Sequence, residues 1–189
     1  MQIKVLGITG TFQSGKDALA EIIGWKKYSC SDLLREECKK RGLSIDINQN
    51  LVDIGNELRK TSNDSGILGK KILESIHADK IDKAIVVSIR TPAELLALKN
   101  AKNVYFRLLV LDAPIELRFK RSKATPRYTN ISFEEFKRQE DAQLKGNEEH
   151  SQQLGKVLEL ADAKIINNFN SLKELKKEVD TVLKNWEWM

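Results

Sequence analysis

A chain of 189 residues with 41% hydrophobic and 31% charged residues has the composition of a soluble globular protein, and its length suits one domain over 1–189 with a substantial core. Its 32 Lys and Arg against 27 Asp and Glu leave a net charge of +5, which suits an anionic ligand, but the cations are scattered rather than gathered into the stripe that nucleic acid demands. Cys30 and Cys38 are too few for a disulfide framework, no run approaches the about 20 apolar residues of a membrane span, and the first residues lack a signal-peptide pattern. The expectation is a cytoplasmic protein with neither nucleic acid nor membrane as partner.

Ile3–Thr9 reads as a buried strand, followed by a Gly-rich turn and a helix from Lys16 to about Gly24. Lys27–Cys30 is a short second strand, after which Ser31 is placed to cap a helix with acidic residues in its first turns. Apolar residues at helical spacing follow at Leu51, Ile54 and Leu58, then at Ile67, Leu68, Ile72 and Ile76. Ala84–Ile89 is an apolar run without alternation, the pattern of a parallel strand buried on both faces. Thr91-Pro92 then opens a helix, Thr at the N-cap and Pro at the first helical position.

Val104–Leu111 is a further strand, and Ala113-Pro114 begins another helix. Between Arg121 and Phe133 the apolar pattern lapses into SKATPRYTNIS, read as a mobile surface segment between two helices. Ala163–Ile166 is the last strand, before an amphipathic helix over Ser171–Leu183. Strands alternating with helices specify an α/β domain with a parallel sheet.

The turn after the first strand reads GTFQSGKDA, from Gly10 through Gln13, Ser14, Gly15, Lys16 and Asp17 to Ala18. In GxxxxGK the glycines let backbone N–H groups converge on phosphate oxygens. The following helix adds its N-terminal dipole, and the Lys reaches the outer phosphates. Strand, loop and helix are all supplied here, so Gly10 to Ala18 is a candidate nucleotide-phosphate site. Asp17 stands where Ser or Thr normally ligates Mg2+. A carboxylate about 4 Å from a phosphate costs on the order of 4 kcal/mol at an effective dielectric near 20. Asp17 therefore either binds the metal, which accepts carboxylates readily, or turns away to a cationic partner.

Asp32 and Arg35 lie three apart at the start of a helix, on one face, at the carboxyl edge of the sheet where open α/β proteins bind ligands. SDLLREE there resembles the segment of adenylate kinase and its relatives that holds the acceptor phosphate. Ser88-Ile89-Arg90 before TPAEL resembles the end of the third strand in the same superfamily, and Leu111-Asp112-Ala113-Pro114 with Arg118 and Arg121 resembles the approach to its lid. The stretch from Phe133 to Asp141 and LADAKIINN after it resemble the last third of dephospho-CoA kinase and of archaeal adenylate-kinase-like proteins.

Together these pieces resemble a P-loop kinase of the nucleoside-monophosphate and dephospho-CoA kinase group. The resemblance implies a three-layer P-loop NTPase fold with a five-stranded parallel sheet ordered 2-3-1-4-5. It also implies a helical acceptor-binding insertion over about 31–80 and a lid over about 118–135. It implies ATP and Mg2+ as cofactors, a small phosphorylated or hydroxyl-bearing acceptor, and a monomer or homodimer.

Under that resemblance Lys16 neutralises donor phosphates, Asp17 and Asp32 organise Mg2+, and Arg35 and Arg90 hold the acceptor. Asp32 is the general base if the acceptor is a hydroxyl. Arg59 either reaches the acceptor from the insertion or lies on a solvated face. Arg118, Arg121 and Arg127 are candidates to close over the phosphates, with at least one of them merely surface. Asn168 is placed to approach the adenine, or is an ordinary turn residue.

One further departure accompanies Asp17: Val87 stands where the third strand of these enzymes often ends in a metal-holding Asp. Either Asp17 relocates that carboxylate, or catalysis is lost and the protein is a nucleotide-binding regulator. His77 and His150 receive no role, and Trp186 and Trp188 are read as a packing anchor.

Overall fold

Parallel strands β1 (Ile3–Gly10), β2 (Lys26–Ser29), β3 (Lys83–Val87), β4 (Val104–Asp112) and β5 (Ala163–Ile166) form one sheet in the order β2-β3-β1-β4-β5. The computed structural model describes residues 2–125, 128–146 and 151–188. Helices α1 (Lys16–Ile23), α2 (Cys30–Lys40), α3 (Asn48–Thr61), α4 (Ile67–Ala78) and α5 (Pro92–Lys99) precede β4. After it come α6 (Ile115–Ser122), α7 (Phe133–Leu144), α8 (Leu154–Glu159) and α9 (Leu172–Asn185). The fold class and strand order expected from the sequence are those observed.

The central strands are apolar on both faces because both are covered. Val5, Ala84, Val86, Phe106 and Leu108 pack against α2, α3, α4 and α5. Leu6, Ile8, Ile85, Leu109 and Leu111 pack against α1 and α9, with Trp188 closing that layer. Successive strand residues point to opposite faces, so a sheet sandwiched between helices has no use for alternation. Among the described residues no helix is long and apolar enough to cross a membrane.

Two boundary differences from the sequence reading bear on the site. β2 ends one residue early at Ser29, whose extended backbone makes it the N-cap of α2, its Oγ accepting from Asp32 N at 3.3 Å. Ser31 is therefore inside the helix rather than its cap. β3 ends at Val87 because Ser88 takes the left-handed conformation, with φ at 64°, which non-glycine residues adopt uncommonly. By contrast, α5 starts where its sequence says: Thr91 caps it, Pro92 follows, and Glu94 completes a capping box.

The segment after α6 is not all surface. Tyr128 is buried, with its ring 5.9 Å from that of Phe12 and 6.2 Å from that of Phe136. That aromatic cluster seats the chain against the loop after β1.

Candidate active site

The loop between β1 and α1 is shaped by two glycines. A Cβ on Gly10 would lie 1.8 Å from the carbonyl oxygen of Leu111, its register partner on β4. Gly15, with φ at 97°, is the N-cap of α1 and supplies no side-chain cap. The first-turn N–H groups of α1 thus receive no side-chain cap, an arrangement that suits an anion.

Four side chains strap the loop from outside. Thr11 Oγ1 donates to Asp112 Oδ1 at 2.7 Å, and Asn167 Nδ2 donates to Ser14 O at 2.7 Å. Arg118 Nη1 donates to Phe12 O at 3.3 Å, and Gln13 Nε2 to Thr125 Oγ1 at 3.3 Å. The straps come from the ends of β4 and β5, from α6 and from the segment after it. The cradle is therefore preorganised by the carboxyl edge of the sheet.

A cavity of about 270 Å3 opens above this loop, and Gln13, Lys16, Asp17, Asp32, Arg35 and Arg90 line it. Lys16 is largely sequestered and lies 3.9 Å from the Asp17 carboxylate, whose side chain is 63% exposed. Asp17 is thus not locked away by a cationic partner. Asp32 Oδ1 accepts from Arg35 at 2.6 Å, both exposed on one face of α2 as their spacing requires.

Arg90 Nη1 donates to Gly10 O at 3.2 Å. Burial holds its guanidinium below the usual range, against the opposing pull of the Glu94 and Asp17 carboxylates. A larger cavity of about 450 Å3 lies beside this one between α3 and α7, and Asn48, Gln143 and Gln152 border both.

The other expected residues divide between the cavity wall and its supports. Arg59 is not on a solvated face: it is buried, and pairs with the buried Glu94 at 2.8 Å on the cavity wall. Arg118 does not reach the cavity. It forms a two-pronged ion pair with the buried Glu140 and donates from Nε to Ala113 O at 2.6 Å, fixing α6 to α7. Its donors are turned inward, so the structure gives it a holding role in place of the expected catalytic one.

Asn168 is exposed, and the buried neighbour Asn167 occupies the position next to the loop. Arg127 and His150 lie outside the described residues.

Arg121 and Ala18 line a separate cavity of about 270 Å3 with Gly15, Asn167, Phe169 and Leu172. Arg121 Nη2 donates to Asn167 O at 3.2 Å, and its Nη1 is buried without a hydrogen-bond partner among the described residues. Burial holds this guanidinium, too, below its ordinary value.

Val87 is a core position, packed with Ile8, Leu19 and Ile85, and the residue from the tip of β3 that lines the cavity is Ser88. The tip of β3 thus presents a hydroxyl to the cavity, and no carboxylate. The sequence reading missed Asp112, Asn167 and Glu94. Of these only Glu94 carried a signal, as the third helical residue of a capping-box pattern.

Fold and loop together define an α/β protein of the P-loop NTPase fold. The chain resembles TT1252 from Thermus thermophilus (TM-score 0.63, 18% identity, 98% of each chain). It also resembles a shikimate kinase from Acinetobacter baumannii (TM-score 0.59, 15% identity, 97% of this chain and 94% of that one). A dephospho-CoA kinase from Campylobacter jejuni has the same architecture (TM-score 0.51, 21% identity, 96% of each).

Among relatives by sequence are proteins designated UPF0200. That of Methanosarcina mazei is 27% identical, covering 97% of this chain and 96% of its own. A UPF0200/UPF0201 protein of Archaeoglobus fulgidus is 28% identical over 97% of this chain, which spans 56% of that relative's length. No family model matches the chain.

Proposed function

We propose that this protein is an ATP-dependent small-molecule kinase whose acceptor is a nucleoside or deoxynucleoside monophosphate. The observation that carries this reading is one cavity in which the uncapped N-terminus of α1 and Lys16 face Arg35 and Arg90. A loop of phosphate-cradle form and a second set of cations sharing one cavity is what a donor and a phosphorylated acceptor would call for. The donor's phosphates would lie along the Gly10–Ala18 loop. Its adenine would enter the cavity lined by Arg121, Asn167 and Phe169.

Phosphoryl transfer rests mainly on positioning and on neutralising charge. Lys16 serves the donor's outer phosphates, and Arg35, Arg90 and Arg59 serve the acceptor from the helical insertion over about 31–80 and the tip of β3. The carboxylates of Asp17 and Asp32 and the hydroxyl of Ser88 share the cavity wall. Hard oxygen donors of this kind fit Mg2+, which commonly takes one or two carboxylates and fills its shell with phosphate oxygens and water. Mg2+ bound there would offset the phosphate charge beside Asp17.

Dephospho-CoA-like phosphorylation of a hydroxyl is the second reading, supported by Asp32. Its carboxylate is 58% exposed and gives one oxygen to Arg35, so the other can face an acceptor hydroxyl in the cavity.

Calorimetric titration with Mg-ATP tests the donor site. Lys16→Ala is expected to weaken binding at least tenfold; unchanged affinity would remove the phosphate-loop assignment.

A further inference from the structure

Glu94 belongs to no part of the donor or acceptor machinery described so far, yet it is fully buried behind Arg59 and Arg90, two residues that line the cavity. Each of its carboxylate oxygens has its own task. Oε1 accepts from Arg59 Nη2 at 2.8 Å, reaching across to α3. Oε2 accepts from the backbone N–H of Arg90 at 2.8 Å and that of Thr91 at 3.2 Å.

One side chain therefore joins the helical insertion to the short stretch from which Arg90 projects. Arg90 itself begins two residues after the left-handed turn at Ser88. Its guanidinium makes one hydrogen bond among the described residues, to Gly10 O, and the side chain lines the cavity. A capping box alone would satisfy α5 with a Glu of any surroundings. It does not call for a buried guanidinium from another helix on the second carboxylate oxygen.

We infer that Glu94 is a positioning residue for the acceptor, holding Arg59 and Arg90 as the two jaws of a clamp for a phosphomonoester. The inference rests on the kinase reading and names its acceptor class. A phosphate dianion suits a pair of guanidiniums, which offer forked donors to its oxygens. Removing the charge at Glu94 would weaken the ion pair that ties Arg59 to α5 and loosen the backbone under Arg90. The effect should fall on acceptor binding and spare the donor loop.

Inorganic phosphate is the probe, titrated calorimetrically into protein already saturated with Mg-ADP, so that the donor cradle is filled. Glu94→Gln keeps the shape of the side chain and an oxygen for the cap. Thr91→Ala weakens the same helix cap, where Thr91 Oγ1 accepts from Glu94 N at 3.1 Å, without touching the clamp. The expected result is that phosphate binds the wild type, binds Glu94→Gln at least tenfold more weakly, and binds Thr91→Ala within twofold of the wild type. The ADP affinity of all three should agree within twofold.

Equal weakening in the two variants, or none in Glu94→Gln, would overturn the clamp and leave the donor site standing. Failure of ADP to bind the wild type would instead overturn the kinase reading and the clamp with it. If Glu94→Gln does not fold, Arg59→Lys reads the link from the other end. Lys keeps the charge but lacks the fork, so phosphate should again weaken tenfold with ADP unchanged; unaltered phosphate affinity overturns the proposal.

Discussion

Asn167 donates its side-chain amide to the carbonyl of Ser14 at 2.7 Å, joining the end of β5 to the phosphate loop across 153 positions of sequence. Its backbone N–H also donates to Asp112 O at 2.6 Å, and a Cβ on Gly15 would lie 2.6 Å from its Nδ2. This buried residue is the keystone of the strapped loop. Asn167→Ala leaves Ser14 O without its partner, at a cost of about 1–3 kcal/mol. Urea denaturation should show that loss with an unchanged slope, and Mg-ATP should bind more weakly.

Gly10 and Gly24 make a matched pair for testing the loop's close packing. Alanine at Gly10 would drive a Cβ into the Leu111 backbone, which no side-chain rotation relieves. Destabilisation should exceed the about 1–3 kcal/mol usual for overpacking. Gly24, the C-cap of α1 with φ at 75°, has nothing within 4 Å. There alanine should cost only the left-handed backbone penalty of about 1–2 kcal/mol. Equal losses at the two sites in thermal or urea unfolding would argue against the Gly10–Leu111 contact.

Arg118 and Glu140 should behave as a buried pair. Removing one partner leaves the other charge unpaired, at about 3–5 kcal/mol, whereas apolar replacement of both is often near neutral. Arg118→Met alone is therefore expected to destabilise strongly, and Arg118→Met with Glu140→Leu to recover most of the loss. If the double variant is no better than the single, the pair is not the main function of Arg118.

Acid should weaken the surface straps before the core. Lys26 and Tyr28 hold the Asp79 carboxyl below its ordinary value of 3.8, and Lys70 and the Gly66 N–H do the same for Asp64. A depressed folded value means that the stabilisation is complete above the unfolded value and is lost as pH falls through the folded one. The melting temperature should thus drop below about pH 4, and Asp64→Asn with Asp79→Asn should flatten that drop. An unchanged slope would dismiss both groups.

Asp32 separates the two acceptor classes. A monophosphate acceptor arrives already ionised and needs no base, so Asp32→Asn should lower its turnover about tenfold or less. A hydroxyl acceptor loses its proton acceptor, and general-base catalysis typically contributes about 10^2–10^4-fold. Steady-state kinetics of the variant with the two acceptor types reads the difference directly.

The sheet was legible because its strands are short unbroken apolar runs between Gly, Pro and capping residues. Their alternation with helices left little topological freedom, and Thr91-Pro92 marked α5 to the residue. The site was legible where local spacing decides it, as in Gly10 to Asp17 and in the Asp32–Arg35 pair. It was not legible where a charge's fate depends on a distant partner. Arg118 turns away from the cavity toward Glu140, 22 positions on, whereas Arg59 is held in the cavity wall by Glu94, 35 positions on. Asn168 and Asn167 differ only in which face of the chain after β5 meets the loop, and Val87 and Ser88 only in where β3 stops; both were decided by packing.

The most direct test is a coupled assay of phosphoryl transfer from Mg-ATP across the nucleoside and deoxynucleoside monophosphates and dephospho-CoA, run with wild type and Lys16→Ala. The expected result is turnover with one or more monophosphates, little with dephospho-CoA, and loss of that turnover in Lys16→Ala. Turnover confined to dephospho-CoA would contradict the acceptor assignment. Tight ATP binding with no product from any acceptor would contradict the kinase itself.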